Sequence, residues 1–286
     1  MNIDKFIAQR KKLGYSQSEL AKGICTQATI SKFENNGKMI STKILTQLCN
    51  RLGLSLSDLF PNAEVDRQRL FAKLEEIGFN LVTSEYQLVL TELATISEAT
   101  LTDNNLKMEY LFIKGFALAL SKTNPADAIF CFDQILNGLD EAHRTIYSQL
   151  AYVGLGITYD RQQDDNRAKF YFEKVPTKLR LTPVDSTANI WKTMCMLFYT
   201  GEFYGQQAEV ATSNPLLEQV IDLGSQNHVT YYVARAQYQL AENYVHAGRP
   251  QAQLTEILAD ATAFAKFNRN QKLLDKITRL KEQLSS

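Results

Sequence analysis

The sequence predicts an all-α protein made of two parts, and three observations lead to that prediction. Apolar residues recur at intervals of three and four along most of the 286 residues, which is the spacing of one helix face. No segment alternates apolar and polar residues for long enough to indicate a sheet strand. In the second part, small and aromatic residues repeat at a spacing of 40, Ala128 with Ala168 and Phe132 with Phe172, as in stacked helix pairs.

Residues 16–38 form the centre of the N-terminal part. Ser16 and Glu19 have the spacing of a capping box, so we expect a short helix to begin here. Gly23 turns the chain, and Thr26 can cap a second helix. Two short helices joined by a tight turn, the second with polar side chains on its outer face, are typical of a helix-turn-helix.

The flanking segments complete a layout of five short helices within about sixty residues. Residues 2–13, 41–52 and 55–60 also carry apolar residues at helical spacing. This layout resembles the Cro/repressor-type DNA-binding domain. The resemblance is carried by the pattern Gln17-x-x-x-Ala21 followed by Ile30-Ser31-Lys32-x-Glu34-Asn35.

The resemblance implies which side chains meet DNA. In repressors of this type the start of the recognition helix enters the major groove. Base edges are then expected to face Gln27, Ala28 and Lys32, since Gln pairs with adenine and Lys with guanine. Phosphates are expected to contact Gln17, Thr26, Thr29 and Asn36. Ser31 also points outward and belongs to the predicted DNA-binding residues. One such domain covers few base pairs, so we expect a homodimer on a two-fold site in double-stranded DNA.

Charge is divided unevenly between the two parts. Residues 1–62 contain nine Lys and Arg and four Asp and Glu, a net charge of +5. The whole chain balances 31 basic against 31 acidic residues, so the remaining residues carry −5. A basic N-terminal part suits a nucleic-acid-binding module attached to a part that does not bind nucleic acid.

The rest of the chain predicts a linker followed by helix pairs. We expect a helix-turn-helix domain at 1–62, a linker helix at 63–82 and a repeat domain at 83–286. Small residues in the repeats let paired helices approach, and aromatic residues fill the gaps. This predicts an α-solenoid of about five degenerate helix pairs. In the clearest copy, six residues have tetratricopeptide spacing: Tyr152, Leu155, Gly156, Tyr159, Ala168 and Phe172.

Two further segments of the repeat domain have recognisable patterns. The segment from Gly201 to Tyr204 resembles the loop between paired helices. A closing helix over residues 271–284 carries an apolar stripe. The sequence leaves open whether this stripe caps the solenoid or pairs with a second subunit.

The first helices of such pairs normally line a surface that holds an extended peptide. Asn side chains can clamp a peptide backbone, and Lys or Arg can meet a carboxylate end. On the repeat alignment, the polar residues of these helices are predicted to bind peptide: Lys114, Asn189, Lys192, Arg235, Tyr238 and Asn243.

A Cro-type domain, a linker helix and a tetratricopeptide-like solenoid at this length resemble the RNPP family of peptide-responsive regulators of Gram-positive bacteria. The resemblance covers essentially the whole chain. It implies a cytoplasmic, dimeric transcription factor whose repeats bind a short signalling peptide in quorum sensing. Peptide binding would then change how the paired DNA-binding domains meet DNA.

The residue pattern argues against an enzyme, a metal centre or a bound cofactor. The three histidines share no motif and have no partner at metal-ligand spacing. Gly154-x-Gly156 follows no predicted strand, so helix packing explains it better than dinucleotide binding. No apolar run predicts a membrane helix. Two alternatives stay open: the repeats bind a protein partner, or they only oligomerise a constitutive repressor.

Overall fold

The computed structural model describes residues 1–101, 103–175, 187–230 and 232–285. Within these ranges the regular secondary structure is helical, as the sequence predicted. The chain divides into two compact units, Met1–Ala72 and Lys73–Ser286.

The first unit contains the five short helices expected from the sequence. Its buried core includes Phe6 of the first helix and Leu20, Ile30 and Phe33 of the helix-turn-helix, all fully buried. A longer sixth helix follows and crosses the division between the two units. The helices are α1 (Ile3–Lys12), α2 (Gln17–Ala21), α3 (Gln27–Asn36), α4 (Thr42–Leu52), α5 (Leu56–Leu59) and α6 (Pro61–Phe79).

Capping side chains and left-handed glycines set the helix ends of this unit. The Ser16 hydroxyl accepts from the backbone N–H of Glu19, and the Glu19 carboxylate accepts from the backbone N–H of Ser16. This confirms the predicted capping box. Gly37 and Gly53 end α3 and α4 with φ of 62° and 67°, which a residue without a Cβ adopts without strain.

The second unit is a series of packed helix pairs. Each pair contacts the next, with one helix before the series and one after it. The pairs are α8 (Asn104–Ser121) with α9 (Pro125–Gln134), α10 (Ile146–Arg161) with α11 (Asp165–Phe172), α12 (Thr187–Gln206) with α13 (Val210–Asn227), and α14 (Val233–His246) with α15 (Gln251–Phe267). The flanking helices are α7 (Tyr86–Leu93) and α16 (Gln271–Ser285). A 3₁₀ turn at Glu98–Thr100 and a π turn at Ile135–Leu139 interrupt the series.

Buried rings occupy gaps that glycines leave between these helices. A Cβ on Gly154 would lie 2.1 Å from Phe132 Cζ, and a Cβ on Gly115 would lie 2.6 Å from Phe132 Cε1. Gly156 has the same relation to Phe172, at 2.7 Å. Gly154 and Gly156 therefore serve helix packing, as the absence of a preceding strand predicted.

The structure corrects one prediction and resolves one alternative in the repeats. Residues 201–204 lie inside α12 and not in a loop. A Cβ on Gly201 would lie 2.9 Å from Leu217 Cδ2, so this glycine permits close packing on α13. The apolar stripe of α16, with Leu273, Ile277 and Leu280 buried, packs in one core with residues of α15 and caps the last pair.

The glycine positions give a direct test of this packing. We expect Gly154→Ala to lower the free energy of unfolding by about 1–3 kcal/mol, because the new methyl group overlaps the fully buried Phe132 ring. Chemical denaturation measures the change. Gly138→Ala is the matched control, since a Cβ there meets nothing within 4 Å. Equal stability of the two variants would show that the ring does not depend on the gap.

Candidate DNA-contact surface and ligand cavity

Helix α3 presents most of the side chains that the sequence assigned to DNA. Gln27, Ala28 and Lys32 are exposed on it, and Thr29 and Ser31 are half-buried. Thr26, which precedes the helix, is exposed, and Gln17 on α2 is half-buried. The side chain of Asn36 lies outside the part of the chain that the structure describes.

A chain of hydrogen bonds runs from the interior of the first unit to the start of α3. Arg10 Nε and Nη2 donate to the two carboxylate oxygens of Glu34 at 2.6 and 2.8 Å. Gln17 Nε2 donates to Glu34 Oε2 at 2.8 Å, and Gln27 Nε2 donates to Gln17 Oε1 at 2.8 Å. Because the Arg10–Glu34 pair is largely buried, it holds the two glutamines in fixed positions.

The hydroxyl groups near α3 have partners within the protein. The backbone N–H of Thr29 donates to Thr26 Oγ1 at 3.2 Å, so Thr26 caps α3 as the sequence predicted. The two threonine hydroxyls lie 2.8 Å apart. Ser31 Oγ accepts from Asn35 Nδ2 at 3.2 Å. Lys32 extends from the exposed face as a positive charge.

The second unit contains a cavity of about 480 Å³, which we call the basic cavity. Five of its lining residues are cationic and two are acidic, and aromatic rings supply much of the remaining wall. The cationic residues are Lys122, Arg161, Arg235, Lys272 and Lys276, and the acidic ones are Glu202 and Glu242. The rings belong to Tyr86, Phe198, Tyr199 and Tyr238. Such a lining suits a ligand that is anionic and partly apolar.

Glu202 lies in the wall of the basic cavity among these cations. Burial raises the pKa of its carboxyl above the usual value, although the positive charges of Arg161, Arg235 and Lys276 oppose the shift. The burial cost and the neighbouring cations therefore act in opposite directions on the same group.

The six predicted peptide-binding residues lie in different places. Arg235 and Tyr238 line the basic cavity. Lys114 lines a separate cavity of about 470 Å³, where its ammonium lies 5.5 Å from the centre of the Tyr110 ring. Asn189 is a half-buried residue of α12. The predicted set is therefore not one constellation.

Lys192 and Asn243 lie in the interior of the second unit. Asn243 is fully buried and donates to Ser213 Oγ and Asn214 Oδ1, both at 2.8 Å. Lys192 is 2% exposed, and its ammonium donates to Glu109 Oε2 at 2.5 Å. Both side chains join helices of the second unit in this structure.

Glu109 and Lys192 form a buried ion pair with a third partner. Tyr147 OH donates to the same Glu109 oxygen at 2.6 Å, and burial raises the Tyr147 pKa, with the negative charge of Glu109 adding to the shift. The Lys192 ammonium also lies 5.2–5.9 Å from the ring centres of Phe112, Tyr147 and Trp191. The pair thus joins α8, α10 and α12 from inside.

Sequence reasoning missed most of the basic cavity. Lys122, Arg161 and Glu202 come from different helix pairs, and Lys272 and Lys276 come from the closing helix. No local motif links them, because only the stacking of the helices brings them together. In the described residues no cluster of His, Cys, Asp and Glu could hold a metal ion, and no helix is long and apolar enough to cross a membrane.

A substitution of Lys192 in the buried ion pair distinguishes a structural role of this residue from a role in binding. We expect Lys192→Met to lower the free energy of unfolding by about 3–5 kcal/mol, because the Glu109 carboxylate is left buried without its cation. Urea denaturation measures this loss, with Lys114→Met on the half-buried side of α8 as the control. Wild-type stability of Lys192→Met would contradict the structural role.

The first unit is similar to a known family of domains. Residues 7–59 match the family model described as Helix-turn-helix. No curated protein matches the sequence.

Solved structures resemble the chain over nearly its whole length. Bacillus thuringiensis PlcR, in complex with the peptide PapR7 and DNA, is 14% identical with a TM-score of 0.52, covering 99% of this chain and 98% of that one. The apo form of the competence regulator ComR from Streptococcus vestibularis is 15% identical with a TM-score of 0.56. The same ComR with its signalling peptide XIP is 17% identical with a TM-score of 0.53. Both ComR structures cover 98% of this chain, which covers 96% of theirs. Residues 7–59 are therefore a helix-turn-helix domain, and the whole chain has the fold of PlcR and ComR.

Proposed function

We propose that this protein is a cytoplasmic, homodimeric, DNA-binding transcriptional regulator whose repeat domain binds a short signalling peptide in quorum sensing. The peptide modulates DNA binding and no chemical reaction is catalysed. The observation that carries the proposal is the presence in one chain of a helix-turn-helix with an organised Gln17–Gln27 pair and a repeat unit with a basic cavity. The peptide-bound and DNA-bound structures of similar fold support it.

The DNA side of the proposal rests on α3. One N–H of the Gln27 amide is held by Gln17, so its second N–H and its oxygen are oriented to meet N7 and N6 of an adenine. Lys32 reaches a guanine, and Ala28 contacts a base edge by its methyl group. Phosphate contacts fix the register and involve Gln17, Thr26, Thr29, Ser31 and Asn36. The net charge of +5 over residues 1–62 supports phosphate binding.

The peptide side of the proposal rests on the basic cavity. Arg235 and Tyr238 are the expected contacts that line it, together with Arg161, Lys272 and Lys276. These cations would meet the terminal carboxylate or an acidic side chain of the peptide. Lys114 and Asn189 stay proposed contacts outside this cavity, whereas Lys192 and Asn243 are buried and bond to neighbouring helices.

The domain assignment belongs to the same proposal. Residues 1–62 bind DNA, residues 63–82 act as a linker, and residues 83–286 bind the peptide and hold the dimer together. A peptide that prefers one arrangement of the two DNA-binding domains changes DNA affinity by the same factor by which DNA changes peptide affinity. This reciprocity makes the coupling measurable from either ligand.

The role of Lys32 in base recognition has a direct test. We expect Lys32→Ala to weaken binding to the specific site by about 1–3 kcal/mol relative to competitor DNA, because it removes a base contact. Lys12→Ala, which removes an exposed charge on α1, should weaken both by a similar factor. Fluorescence anisotropy measures the four affinities. An equal loss on both DNAs for Lys32→Ala would mean that Lys32 contacts phosphate only.

The proposed function is tested by titrating DNA from the region upstream of the protein's own gene. Anisotropy is measured with and without the small-peptide fraction of the host's culture medium, at fixed salt because phosphate contacts make affinity salt-dependent. We expect the fraction to change the affinity. Specific binding that ignores the fraction would favour a protein partner or a constitutive repressor, and absence of specific binding would overturn the proposed role of α3.

A further inference from the structure

Arg235 joins two segments that are far apart in sequence. Its Nη2 atom donates to the backbone oxygen of Val82 at 3.0 Å and to Ser84 Oγ. The guanidinium also lies 5.5 Å from the centre of the Tyr232 ring. Helix α14 is thereby joined to the segment between α6 and α7, which we call the 80–85 segment.

Arg235 lines two cavities. One is the basic cavity, and the other is a cavity of about 530 Å³ that is also lined by Phe79, Val82 and Tyr232. Phe79 is the last residue of α6 and is 38% exposed. A movement of the Arg235 side chain would therefore alter both cavities and the end of α6 together.

The geometry of a guanidinium makes this bonding exclusive. A carboxylate that binds an arginine through two parallel hydrogen bonds uses either Nε with Nη2 or Nη1 with Nη2. Arg10 binds Glu34 through Nε and Nη2, and Arg67 binds Glu64 through the same two atoms. Both ways require Nη2, and in Arg235 this atom is occupied by Val82 and Ser84.

The 80–85 segment contains a residue in an unfavourable backbone conformation and is held by several hydrogen bonds. Ser84 has a φ of 65°, a left-handed conformation that residues with a Cβ adopt at a cost. Within the segment, the Ser84 N–H donates to Leu81 O and the Glu85 N–H donates to Asn80 O. Its first two residues are also held elsewhere, since Asn80 Nδ2 donates to Glu92 Oε2 of α7 and Leu81 is fully buried. The bonds from Arg235 connect Val82 and Ser84 to α14.

We propose that Arg235 is a latch which a ligand carboxylate opens. A carboxylate that enters the basic cavity and pairs with Arg235 through two bonds takes Nη2 from Val82 and Ser84, and the 80–85 segment loses its connection to α14. Because this segment continues directly from α6, the loss of that connection loosens the end of the linker helix. The inference rests on the function proposed above and names the ligand group that is read there.

The latch is first tested without ligand, by hydrogen–deuterium exchange on the full-length protein. Ser84→Ala removes one acceptor and leaves the cavity cations in place. We expect the backbone amides of the 80–85 segment to exchange about tenfold faster, because a hydrogen bond to a charged group is lost. Thr83→Ala is the matched control, since its exposed hydroxyl bonds only locally to Asn80 O. Equal exchange in the two variants would overturn the latch.

The competition is tested with a randomised heptapeptide pool in two forms, one with free C-terminal carboxylates and one amidated. We expect the free-acid pool to speed exchange in the 80–85 segment of the wild type, and the amidated pool to have a much smaller effect. Arg235→Lys keeps the charge but has no fork of N–H groups, so the difference between the pools should disappear. Equal effects of both pools on the wild type, or slower exchange with the free acid, would overturn the proposal.

These readouts are independent of the DNA titration. A peptide-dependent change in DNA affinity with equal exchange in Ser84→Ala and Thr83→Ala would support the proposed function and overturn the latch. Faster exchange in Ser84→Ala and with the free-acid pool, but no effect of peptides on DNA affinity, would support the latch and overturn its regulatory consequence.

Discussion

The second unit depends on the close approach of helices around buried aromatic rings. Phe132 lies against Gly115 of α8 and Gly154 of α10, where any Cβ would overlap the ring. Dense interiors tolerate neither such an overlap nor a void of similar size. The spacing of α8 and α10 is therefore fixed to within a methyl group. The positions of the side chains that line the basic cavity therefore depend on the spacing of these helices and of the helices that follow.

Buried ion pairs also restrict how the helices are oriented relative to their neighbours. The Glu109–Lys192 pair joins α8 to α12, and Tyr147 of α10 donates to the same carboxylate. The Arg10–Glu34 pair has a corresponding place in the first unit, where it orients Gln17 and through it Gln27. A buried charge without its partner is costly, so each pair permits few arrangements of the elements that it joins. In both units, polar groups inside the fold position those at its surface.

The two sets of predicted site residues differ in how well the sequence placed them in the structure. The exposed face of α3 was predictable because a helix-turn-helix is local, and its caps, turn and outward face lie within 23 consecutive residues. The burial of Lys192 and Asn243 was not predictable, because Lys and Asn on a helix look the same whether they face a cavity or a buried partner. Lys192 and Asn243 are inside, and Arg235 is in the cavity wall. The sequence predicts a loop at Gly201 wrongly, because glycine marks turns and close helix contacts equally well.

The sequence alone determined the all-α class, the order of a helix-turn-helix and then helix pairs, and the residues of α3 that face outward. These features depend on periodicity, capping and small-residue spacing, all of which are short-range. Tertiary structure alone decided that the stripe of α16 caps the last pair, that Lys192 pairs with Glu109, and that five cations from four distant segments of the chain line one cavity. It also decided that Arg235 bonds to residues more than 150 positions away. Such partners are fixed by how helices stack, and stacking depends on the whole packed interior.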